Sequence, residues 1–188
     1  MGRLYTVGHS TRTSEELLAL LGGAGVRRLV DVRRQPGSRR HPRFAQAALR
    51  QALARADIAY AHEPDLGGRR DPRAGSPNTA WRHAAFRGYA DHMATPAFQE
   101  ALDRTLRAAA EAPSAVLCAE ALPERCHRQL IADAAVLAGF EVVHLIGPAA
   151  SRPHGLHRAA HRRPDGTVVY PSPGEQAVLF PGSGPRAL

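Results

Sequence analysis

The chain has two cysteines, Cys118 and Cys126, with seven residues between them. Cys118 follows the apolar run Ala115–Leu117, which marks it as a strand end and a small buried hydrophobe. Cys126 precedes His127 and Arg128 and is expected in the first turn of a helix over Arg125–Ala138. There the unsatisfied backbone N–H groups and the helix dipole would stabilise a thiolate. Cys126 is therefore the candidate nucleophile, with Glu120 and His127 or His9 as base or orienting group. Adjacent helical residues point about 100° apart, so a base from another strand could reach Cys126 better than His127. Metal binding by Cys118, Cys126 and His144 is the alternative. The spacing lacks the close cysteine pairs of common zinc sites, and no cofactor is expected.

The elements that must position these groups alternate. Strands are expected at Leu4–Val7, Arg28–Val32, Ile58–Ala61, Ala115–Ala119 and Glu141–Ile146, with a short edge strand at Thr167–Tyr170. Helices are expected after a Thr13 or Ser14 cap, over Phe44–Ala56, Ala80–Met93, Pro96–Ala112 and Arg125–Ala138. This order predicts an α/β fold: one domain over residues 1–171, with a mostly parallel five-stranded sheet and helices on both faces. The topology is Rossmann-like but lacks the dinucleotide fingerprint. Residues 172–188, rich in Pro and Gly, read as a flexible tail.

Ligands of open parallel sheets sit beyond the carboxyl ends of the strands. The alternation delivers His9, Asp31, Cys118 and Glu120 to that rim and has His144 closing the fifth strand. Anion-binding candidates flank them. Ser10, Thr11 and Arg12 lie between the first strand and a helix N-terminus, where backbone amides suit phosphate, although capping by Thr13 accounts equally for that pattern. Arg33, Arg39 and Arg40 belong to a turn carrying five arginines, and Arg128 follows the second cysteine; guanidinium forks match phosphate oxygens.

A net charge of +8 suits a polyanionic partner such as DNA. All 25 basic residues are Arg, which a genome-wide compositional bias explains as well. The absence of Lys excludes lysine Schiff-base chemistry. No apolar stretch reaches membrane-spanning length, the N-terminus lacks a signal-peptide layout, and two cysteines make no disulfide scaffold. A cytoplasmic location and no membrane partner are expected. In the tail, Gln176, Leu179 and Phe180 follow the pattern of peptides that dock in the bacterial sliding clamp, through two apolar anchors and one amide.

Several blocks together resemble the bacterial domain of unknown function 488: Tyr5–Ser10; Val30–Arg33 with Pro36–Arg39; Phe86–Ala90; Cys118 and Glu120 followed by Cys126-His127-Arg128; Pro153-His154; and Asp165–Pro171. The resemblance covers about residues 4–171 and implies a single α/β domain, with no established reaction. From the residues themselves, the expected function is a DNA-associated enzyme of repair or of base or nucleotide modification, thiol-dependent and recruited by the sliding clamp. Two alternatives stand beside it: a thiol- or metal-dependent enzyme of small molecules or nucleotides, and a non-catalytic DNA or clamp adaptor.

Overall fold

A computed structural model describes residues 2–37 and 40–179, and contacts divide the chain into two compact units. Residues 1–68 and 100–155 form the first, and residues 69–99 and 156–188 the second.

The first unit holds a six-stranded sheet. Its strands are β1 (Arg3–Gly8), β2 (Arg28–Asp31), β3 (Ala59–His62), β4 (Ser114–Cys118), β5 (Glu141–Gly147) and β6 (Ala150–Pro153). The spatial order is β3-β2-β4-β1-β5-β6, parallel throughout except for the antiparallel pair β5–β6. The α/β class and the five parallel strands are as the alternation predicts. The sixth strand, of sequence ASRP, is exposed along its length and carries no apolar run to announce it. His144 does not close β5, which continues to Gly147; it stands mid-strand, in register with Thr6.

Helix α1 (Ser14–Gly23) begins at a capping box: Thr13 Oγ1 accepts from Glu16 N, and Glu16 Oε2 accepts from Thr13 N. Helix α2 (Gln46–Ala54) follows a 3₁₀ turn at Pro42–Phe44. Leu17, Leu20 and Leu21 of α1 and Leu49 and Leu53 of α2 pack with Val7, Leu29, Ala115, Leu117 and Leu145 in one core cluster. Two further helices, α3 (Ala84–His92) and α4 (Pro96–Glu111), precede β4 in the chain. Helix α5 (Arg128–Leu137) contributes none of its buried residues to that cluster and packs on β1 and β5. Strand side chains alternate between faces, so α1 and α2 cover one face of the sheet and α5 the other.

The second unit contains α3, the antiparallel pair β7 (His161–Arg162) and β8 (Val168–Val169), and α6 (Pro173–Leu179). Helix α4 begins in this unit and continues into the first. The buried Asp91 carboxylate accepts from Arg73 N, Ser76 Oγ and Asn78 Nδ2, organising the long connection before α3. The edge strand expected at Thr167–Tyr170 is β8, outside the main sheet. Of the expected tail, Pro173–Leu179 are helical; Phe180 and the rest lie outside the described residues.

Candidate functional site

Residue parity sorts the candidate groups onto two faces of the sheet. Asp31 pairs in register with Leu117, which pairs with Val7, so Asp31 points to the α1–α2 face. Cys118 is opposite Gly8, and Thr6 is opposite both Val116 and His144, so these point to the α5 face.

On the α1–α2 face, Arg33 donates to Asp31 from Nε at 2.8 Å and Nη2 at 2.6 Å, and its backbone N–H adds a third bond at 3.1 Å. The Tyr60 hydroxyl also donates to Asp31, at 2.9 Å. Arg33 Nη1 lies 3.3 Å from His9 Nε2, while His9 Nδ1 meets Ser10 O at 3.0 Å. The consistent tautomer carries its proton on Nδ1 and accepts from Arg33 at Nε2. The imidazole stacks on Phe44 with centroids 4.4 Å apart, and burial brings its pKa down to about 4. His9 is thus a neutral member of a closed polar cluster with both ring nitrogens in use.

On the α5 face, Cys118 ends β4. Pro123–Arg125 then forms a 3₁₀ turn, closed by Cys126 N donating to Pro123 O at 3.0 Å. Cys126 itself is extended (φ −136°, ψ 147°), His127 is the N-cap, and α5 starts at Arg128. The expectation of Cys126 in the first helical turn is therefore corrected. Pro123 starts a separate turn, and the chain must extend at Cys126 before the helix begins. What surrounds the thiol is side chains: His127 Nδ1 lies 3.7 Å from Cys126 Sγ and 3.8 Å from Cys118 Sγ. All three atoms fall within 4.8 Å of one another, and both thiols are free and buried.

These contacts separate the two thiols electrostatically. Burial opposes ionisation of Cys126, but the Cys118 thiol, the His127 ring and the Arg128 charge outweigh it and hold Cys126 well below the ordinary range. Cys118 moves the other way, raised by its hydrogen bond to Cys126, by burial and by the charge on Cys126.

Arg128 is fully buried. Nη1 donates to Thr6 Oγ1 at 3.2 Å, and Nη2 to the carbonyl oxygens of Glu120 and Ala121. Its Nε finds no partner among the described residues. The guanidinium is thus held by neutral oxygens, a hydroxyl and two carbonyls, and a buried cation so placed favours an anion nearby. The Thr6 hydroxyl continues the network: it lies 2.7 Å from His144 Nδ1, His144 Nε2 lies 3.0 Å from His154 Nδ1, and His154 Nε2 lies 2.8 Å from Asp133 Oδ1. Thr6, His154 and Asp133 are not candidates on sequence grounds. The register of β1 with β5, the unforeseen β6 and the packing of α5 on β1 and β5 bring them together.

The third group beside the thiols is therefore His127; His144 is engaged in the chain to Asp133. Glu120 is exposed, and what it contributes is its backbone carbonyl. The loop after β1 turns several of its polar groups inward. His9 N and Ser10 N donate to Cys118 O and Ala119 O at 3.0 and 2.8 Å. Arg12 donates to the carbonyls of Gly8 and Ile146, and Thr11 O accepts from Arg43. Arg40 is exposed and Arg39 lies outside the described residues. Gln176 Nε2 donates to Pro171 O at 2.9 Å, and Phe180 again lies outside. No described helix is long and apolar enough to cross a membrane.

A family model described as "Domain of unknown function DUF488" matches residues 13–135, which include both cysteines, His127 and Arg128. No curated protein and no solved structure matches the chain.

Proposed function

The chain belongs to the DUF488 family, a membership that carries no reaction with it, and we propose from its own residues an enzyme that acts through the Cys126 thiolate on a nucleic acid or nucleotide. One observation carries the reading. Two sulfurs and the His127 Nδ1 converge beside Arg128, a buried guanidinium held by a hydroxyl and two carbonyls. Cys126 is the nucleophile of a transferase or hydrolase, Cys118 hydrogen-bonds its thiolate, and His127 holds or moves a proton at Nδ1. Arg128 balances the negative charge on sulfur.

The thiolate is read directly from its ultraviolet absorption against pH, a measurement that needs no access to the buried sulfur. Wild-type protein should show one thiolate well below the ordinary cysteine range, absent in Cys126→Ser and retained in Cys118→Ser at a higher pKa. A wild-type titration with two ordinary thiols would overturn the mechanism.

The nucleic-acid part rests on the charge of +8 and on exposed arginines such as Arg34, Arg40 and Arg43. It requires DNA affinity that falls steeply with salt. Recruitment through Gln176, Leu179 and Phe180 requires that purified sliding clamp bind the wild type and not the Leu179→Ala/Phe180→Ala variant. A second reading, a nucleotide or small-molecule enzyme without DNA contact, is favoured by the burial of both sulfurs, 7% and 3% exposed, and by the internal engagement of Arg12, Arg33 and Arg128. It predicts no salt-dependent DNA affinity.

A further inference from the structure

We infer that Cys118 Sγ, Cys126 Sγ and His127 Nδ1 form a three-ligand site for a thiophilic divalent cation of the zinc class, with the fourth position left to an exogenous ligand. This deepens the thiolate reading of the same residues, because coordination is one way to activate a thiol nucleophile, yet it stands on geometry of its own.

The spacing is close to that of a coordination tetrahedron. Zn–S bonds of about 2.3 Å and Zn–N bonds of about 2.0–2.1 Å put tetrahedral S···N edges near ~3.6 Å and the S···S edge near ~3.8 Å. The two S···Nδ1 separations are 3.8 and 3.7 Å, and the sulfurs lie within 4.8 Å of each other. Closing the remaining ångström or less (roughly) requires only small torsional changes of two cysteine side chains. Three protein ligands of the Cys₂His set with one open position are the pattern of catalytic rather than structural zinc.

Each ligand is held by a different part of the fold. Cys118 is fixed by the β4 ladder, in register with Gly8. Cys126 closes the turn begun at Pro123. His127 is backed by the chain at Gly68, where a Cβ would come within 2.7 Å of Nδ1. A dication with two thiolates is neutral, and the buried Arg128 leaves a net positive charge in the site, so the open position suits an anion or a bound hydroxide.

The test uses the full chain, reduced with a phosphine and stripped of metal by a chelator, then titrated with Zn²⁺ and separately with Co²⁺. One zinc should be retained per chain, and cobalt should give thiolate-to-metal charge-transfer bands with the intense d–d absorption of tetrahedral coordination. Cys118→Ser and Cys126→Ser should each weaken those bands, His127→Ala should weaken binding, and His144→Asn should still take one equivalent. Absence of stoichiometric zinc and of any charge-transfer band in folded, reduced wild type overturns the site. If the low-pH thiolate of Cys126 persists in that protein, the proposed function survives the loss. Zinc bound at one equivalent, in a chain whose metal-free form shows no such thiolate, upholds the site and removes the free-thiolate mechanism instead.

Discussion

Arg128 Nη1 donates to the Thr6 hydroxyl at 3.2 Å, joining the buried cation of the thiol site to the chain His144–His154–Asp133. One proton arrangement satisfies every member without charging a histidine. Thr6 accepts from Arg128 and donates to His144 Nδ1, His144 Nε2–H donates to His154 Nδ1, and His154 Nε2–H donates to Asp133. Thr6→Val keeps the shape but removes both bonds, leaving Arg128 and His144 each short of a partner in a buried setting. The expected loss is about 1–3 kcal/mol by denaturant unfolding, with Thr6→Ser close to wild type. A Thr6→Val variant as stable as wild type would show that the hydroxyl is dispensable.

The Asp31–Arg33 pair is more tightly built, with two side-chain bonds, a backbone bond and the Tyr60 hydroxyl on one buried carboxylate. Asp31→Asn leaves the Arg33 guanidinium uncompensated in the core. A cost of about 3–5 kcal/mol is expected for breaking one side of such a pair. The thiolate absorption of Cys126 should persist wherever the variant remains folded, because Asp31 faces the opposite side of the sheet.

That separation is what the sequence could not convey. The alternation of apolar runs is enough to place His9, Asp31 and Cys118 at strand ends, and the parallel sheet follows from it. A strand end, however, has two faces, and the face depends on residue parity relative to neighbours whose register is not written locally. The unfamiliar strand ASRP carries Pro153 and leads into His154, so the partner of His144 was hidden with it. At Cys126 the helical periodicity of Leu130, Ile131 and Ala134 is real, but Pro123 begins a separate turn and displaces the helix start by three residues from Arg125 to Arg128. The pairing of Cys126 with His127 depended on that local break, since in a continuous helix the two side chains diverge.

Gly8 is required by the close passage of the segment after β4. A Cβ there would sit 1.7 Å from the Glu120 carbonyl oxygen and 2.9 Å from Arg128 Nη2. Backbone cannot yield as a flexible side chain can, so Gly8→Ala must push the 118–121 segment away and disturb both Cys118 and Arg128. A destabilisation of about 1–3 kcal/mol or more is expected, with the Cys126 thiolate moved towards the ordinary range. Gly22, inside α1 with open space around its Cα, is the control: Gly22→Ala should stabilise by about 0.5–1 kcal/mol. Equal behaviour of the two variants in thermal unfolding would refute the steric argument.

His9 and His144 both weaken the fold towards acid pH. His9 and His144 are each lowered from 6.5 to about 4, first by burial, with Arg33 also acting on His9 and His154 and Arg128 on His144. In the unfolded chain both take up a proton near pH 6.5, whereas in the folded chain they resist until about pH 4. The unfolded state therefore binds more protons across that window, and stability falls as pH drops from about 6.5 towards 4. Below about pH 4 both states are protonated and this contribution to the slope ends. Among the groups facing His9, Arg33 and His41 act with burial, while Asp31 and the Ser10 carbonyl oppose it and are outweighed. His144 faces the neutral Thr6 hydroxyl, and the His154 ring beside it and the Arg128 charge both act with burial. Unfolding free energy measured at fixed ionic strength should rise from pH 4 to 6.5, and the rise should flatten in His144→Asn and flatten further when His9→Asn is added. An unchanged slope in the double variant would mean that other groups govern the acid transition.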